Sequence, residues 1–71
     1  MMDELTGTVR TFDVGRGYGT VDSDDGRSWF FHCTQIADGS RTIDVGARVR
    51  FGVVAGRMGR WEAVGLAGIP S

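Results

Sequence analysis

An all-β fold, a small barrel of five antiparallel strands, is predicted by three observations in this 71-residue chain. Twelve glycines accompany few strong helix formers, and no apolar stripe at helical spacing outlasts about two turns. Short segments with period-two alternation recur instead, Arg48-Val49-Arg50-Phe51-Gly52-Val53 being the clearest. Five such strands in so short a chain cannot leave a sheet face open to water, and curling into a barrel buries one face and removes most edges. A chain of about 60 residues hides only roughly 60% of its unfolded surface, so burial has to be efficient. Residues 1–71 read as one domain with its core at about 5–68.

The first strand is expected from Leu5 to Asp13, with Val9 inward and Arg10 outward. Gly15-Arg16-Gly17 follows as a turn that its glycines make easy. The second strand runs from about Tyr18 to Asp22 and the third from about Ser28 to His32. Asp25-Gly26 between them is a hairpin signal. Cys33 to Ile36 reads as a short irregular turn anchored by Ile36, and Ala37 to Arg41 as a polar loop whose base Ile43 plugs. In the fourth strand Val49, Phe51 and Val53 share a half-buried side. Gly56-Arg57-Met58-Gly59 reverses the chain, and Trp61 to Ile69 gives a fifth strand weakened by Gly65 and Gly68.

The central hairpin also carries the candidate site. Alternation puts Tyr18, Thr20, Phe30 and His32 on one outer patch, while Val21, Trp29 and Phe31 point into the core. An aromatic patch beside Arg16, on a sheet surface, suits stacking against flat ligands such as nucleic-acid bases. Charge gives less guidance. Eight arginines, with no lysine, face nine acids for a net charge of −1, so the strongly basic balance of many nucleic-acid binders is missing. Arg10, Arg16, Arg57 and Arg60 fall near the expected binding edges, whereas Asp22, Asp24, Asp25, Asp38 and Asp44 are assigned to turns.

Other chemistries find little support. His32 lacks the nucleophile and orienting acid that a general base needs. Cys33 with His32 falls short of the roughly four ligands of a structural zinc site, and no cofactor is expected. Gly15 to Gly19 is followed by a strand signal, so it has no helix N-terminus with which to cradle phosphate. One cysteine excludes an internal disulfide, and no apolar run reaches the roughly 18 residues of a membrane span. With no signal-peptide pattern at Met1 to Glu4, a soluble cytoplasmic protein is expected.

In order, Gly7-Thr8-Val9-Arg10, Phe12, Arg16 to Val21, Phe30-Phe31-His32 and Thr34 resemble the bacterial cold-shock domain. That family reads G-x-V-K-W-F-N, then K-G-F-G-F-I, then V-F-V-H-F-S, and Gly46 to Phe51 is similar to its G-Q-x-V-x-F strand. The resemblance spans about Gly7 to Leu66. It implies an OB-type barrel that binds single-stranded RNA or DNA with low sequence selectivity, without catalysis, as an RNA chaperone or regulator of gene expression. A monomer is expected, with a dimer left open.

Carried over by position, Tyr18 and Phe30 are stacking platforms and His32 stacks on or hydrogen-bonds a base. Arg10 and Arg16 take the places of the family's basic residues. Thr11, Phe12 and Thr20 complete the face, and Arg57 and Arg60 flank it from the far turn. Several aromatics of the pattern are replaced: Thr11 stands for its tryptophan, Thr20 for the second aromatic of G-F-G-F, and Cys33 for the residue after histidine. The loop around Ser40 lacks a further aromatic, and Asp13 stands for asparagine. A weakened stacking face follows. The alternative is a diverged barrel that serves mainly as a protein-interaction module, with Trp61 and Met58 as its contact patch.

Overall fold

Alternating side chains gather Val9, Val21, Phe31, Val49, Phe51 and Leu66 into an interior where each is at most 1% exposed. Five strands supply them, seen in a computed structural model that describes residues 4–56 and 60–69. They are β1 (Leu5–Asp13), β2 (Tyr18–Ser23), β3 (Ser28–His32), β4 (Arg48–Ala55) and β5 (Trp61–Gly68), with a 3-10 turn at Cys33–Gln35. The second strand extends to Ser23 and the fifth stops at Gly68, a residue either side of expectation.

The strands close into a barrel in the order β1-β2-β3-β5-β4. Strand directions around a closed ring can alternate throughout only when their number is even. With five strands one seam must be parallel, and it falls between β3 and β5, where Phe30 pairs with Glu62. The other four seams are antiparallel, as expected.

Two glycines show how the hairpins are made. A Cβ on Gly19 would collide with the carbonyl oxygen of Thr11 and lie 3.0 Å from Phe12 Cα, so β1 and β2 can cross this closely only at glycine. Gly26 ends the β2–β3 turn at φ +91°, in the left-handed region that glycine enters without penalty. Its N–H donates to the Ser23 carbonyl at 3.0 Å, and Ser23 N–H donates to the Arg27 carbonyl at 2.8 Å.

The tip of that turn is tied down twice. Arg48 reaches from β4 to hold the Asp24 carboxylate through two nitrogens, at 2.7 and 2.9 Å, and Thr6 donates to the same carboxylate at 2.7 Å. Beneath it the Trp29 indole N–H donates at 3.0 Å to Ser23, the one buried polar residue of the described chain. Ser23 in turn donates to Asp25. Trp29 is therefore core, as expected, with its only polar atom satisfied. Ile43 and Val53 pack against the core as half-buried residues. Asp22, which the sequence puts both at the end of the second strand and among the turn acids, lies in β2 opposite Ser28 and not in a turn, because alternation continues through it to buried Ser23.

Candidate nucleic-acid interface

Cross-strand register assembles the outer patch. In β2 and β3, Tyr18 pairs with His32 and Thr20 with Phe30, so the four side chains occupy one face by parity. The Tyr18 and Phe30 rings are 5.3 Å apart between centroids and tilted by 39°. Phe30 and His32 meet edge to face at 5.0 Å. Tyr18 and Phe30 are half-buried and His32 is exposed. Three rings thus form a row across two strands with much of their surface open to a ligand.

Strand β1 continues the face with a polar residue. A bulge between Val9 and Thr11 resets the register so that Thr11 lies opposite Thr20, and their hydroxyls meet at 2.8 Å. The same shift turns Phe12 inward, where its ring stacks on Phe31 at 5.9 Å and 9°. Phe12 is placed as a half-buried residue packed on the core, away from the exposed row.

The cations are distributed unevenly. Arg10 approaches Asp22 at 3.8 Å, and Arg16 approaches Asp13 at 3.9 Å. Arg16 also donates to the Tyr18 hydroxyl at 3.1 Å, which fixes the ring at the rim and raises the guanidinium pKa, aided by Asp13. Arg60 extends from the start of β5 to place its guanidinium 5.5 Å from the Phe30 ring centre. Arg57 and Met58 lie outside the described residues.

Carboxylates around the hairpin tip are held ionised. Hydrogen bonds from Arg48 and Thr6 keep Asp24 well below the usual carboxylate range. Hydrogen bonds from Arg27 and Ser23 lower Asp25 to about 2. Among the described residues no cluster of three His, Cys, Asp or Glu side chains is placed to hold a metal. No described helix is long and apolar enough to cross a membrane.

Sequence reasoning singled out Arg60 and Trp61 but not the groove they line. Beside the row, a groove of about 890 Å³ has Thr20, Arg27, Trp29, Phe30, Val53, Arg60 and Trp61 in its lining. Parity carried the signal, since Trp29 and Val53 belong to the inward set and Trp61 precedes buried Ala63 by two positions.

The barrel matches known proteins. Its fold superposes on the structure titled drosophila Unr CSD456 with a TM-score of 0.80 at 28% identity, covering 96% of this chain and 27% of that one. Cold shock-like protein CspB of Yersinia pestis is 34% identical over 61 residues, 83% of this chain and 87% of that protein. Cold shock protein 1 of Arabidopsis thaliana is 36% identical over 63 residues, and the chain spans 21% of its length. The family model described as the 'Cold-shock' DNA-binding domain matches residues 5–69, which include all five strands, and the chain belongs to that family.

Proposed function

We propose that this protein binds single-stranded RNA or DNA without catalysing a reaction, stacking unpaired bases on Tyr18, Phe30 and His32. The observation that carries the reading is the row of three rings on one barrel face, with centroid spacings of 5.3 and 5.0 Å. Such rings accept any base, because every base has a π face, and this gives low sequence selectivity. Each stacked base contributes about 1–3 kcal/mol, so three platforms without further contacts place the affinity nearer micromolar than nanomolar. Thr11 and Thr20 offer hydroxyls to base edges or sugars. Arg10 and Arg16 lie at the rim in exposed ion pairs, which are weak and can exchange their carboxylates for phosphates.

Preferential binding of unpaired strands disfavours duplex by mass action, and from this an RNA-chaperone or gene-regulatory role follows. The test is a titration of a pyrimidine-rich single strand and of the same strand annealed to its complement. Tighter binding of the single strand is expected, and equal binding of both forms contradicts the stacking mechanism.

A further inference from the structure

The seam between β3 and β5 is narrow. The two strands pair only at Phe30 and Glu62, and toward their N-terminal ends the groove lies between them, floored by Trp29 and Val53. Trp61 stands at its edge. It is two residues before Ala63, which is fully buried, yet it is 56% exposed itself, the one exposed side chain among the described Phe, Tyr and Trp residues. A large apolar ring at an open groove mouth is a stacking platform with no protein ring described against it.

Positive charge is present at the same place. Arg10, Arg16, Arg27 and Arg48 each stand within 4.0 Å of an aspartate. Arg41, Arg50 and Arg60 have no such partner among the described residues, and of these three only Arg60 lines the groove, its guanidinium 5.5 Å from the Phe30 ring centre. On the opposite side of the row, β1 presents the linked hydroxyls of Thr11 and Thr20 rather than a ring. At the groove, then, an exposed aromatic ring and an arginine without an acidic partner meet beside β5.

We infer that the groove is a nucleobase subsite, in which one unpaired base of the bound strand stacks on Trp61 while its phosphate meets Arg60. The inference rests on the proposed function and adds the direction of the strand: from Tyr18 across Phe30 and over the β3–β5 seam. A cavity of about 890 Å³ has room for a base and its sugar. The aromatic lining and the adjacent cation match the two faces of a nucleotide, one apolar and flat, the other anionic.

Titration of a labelled oligothymidylate against the wild type, Trp61→Ala, Trp61→Phe, Arg60→Ala and Tyr18→Ala/Phe30→Ala tests it. Trp61→Ala and Arg60→Ala are each expected to weaken binding about 5- to 150-fold, with thermal midpoints unchanged. Trp61→Phe should restore most of the affinity, and Arg60→Ala should flatten the log–log salt slope by about 0.7. If both single variants bind like the wild type while Tyr18→Ala/Phe30→Ala binds weakly, the groove is not a subsite and the proposed function stands. If Trp61→Phe fails to restore affinity and melts early, Trp61 is structural and the inference falls. A wild type that binds no strand even at low salt overturns both readings.

Discussion

The hydroxyls of Thr11 and Thr20 meet at 2.8 Å on the β1 side of the face on which Tyr18, Phe30 and His32 stand. The cold-shock pattern has aromatic residues at both positions, so a hydrogen-bonded pair occupies the site of two stacking platforms. The pair also stitches β1 to β2, since Thr20 N–H donates to Thr11 Oγ1 at 3.2 Å. Here a hydrogen-bonded strand link stands in place of ring surface.

Thr20→Phe should reverse that replacement. A ring at this position adds one platform beside Phe30, and affinity for a single strand is expected to rise about 5- to 150-fold. Loss of the hydroxyl pair should lower stability by about 1 kcal/mol. Parallel titrations and urea melts read both effects, and unchanged affinity would show that this side of the face is not on the ligand path.

Gly19 lies between two proposed site residues but acts on the backbone. Its missing Cβ is what allows Thr11 and Phe12 to approach, and the atoms in the way belong to the main chain. Gly19→Ala is expected to cost at least about 1–3 kcal/mol, as in overpacked cores. A urea midpoint lowered at constant m-value would record this; an unshifted midpoint would mean that β1 can draw back.

Acid should loosen the hairpin tip. Hydrogen bonds from Arg27 and Ser23 lower Asp25 from its ordinary value of 3.8 to about 2. Asp24 is lowered by Arg48 and Thr6, and Asp38 by the N–H and hydroxyl of Ser40. A carboxyl with a depressed folded pKa binds protons more readily when unfolded. Its contribution is complete above the ordinary value and disappears as pH falls through about 4 toward 2. The thermal midpoint should therefore drop across that window. Asp24→Asn/Asp25→Asn should melt earlier at neutral pH and show a shallower acid decline; an equally steep decline would assign the effect to other carboxylates.

In the core, Phe31 is fully buried and its ring also supports Phe12. Phe31→Ala should cost about 3–5 kcal/mol, enough to leave so small a domain largely unfolded at room temperature. Far-UV circular dichroism checks this directly, and a native spectrum with a sharp melt would contradict the assigned packing.

Much of this arrangement was legible from local pattern. Period-two alternation separates Val21, Trp29 and Phe31 from Tyr18, Thr20, Phe30 and His32 because the β period depends only on neighbouring residues. The inward turn of Phe12 was not legible, since it follows from a bulge that one strand's alternation cannot announce. Nor was the grip of Arg48 on Asp24, 24 residues away, which depends on β4 closing against β1. Net charge concealed the same fact. The sum of −1 does not reveal that Arg10 and Arg16 stand beside aspartates while Arg60 faces the rings.

The central claim is that Tyr18 and Phe30 bind by stacking, and one comparison tests it most directly. Single-strand affinity is measured for the wild type and Tyr18→Ala/Phe30→Ala, with circular dichroism and a thermal melt to confirm that both barrels are folded. Two lost platforms at about 1–3 kcal/mol each predict binding weakened by at least about 30-fold. A folded double variant that binds as tightly as the wild type would contradict the account.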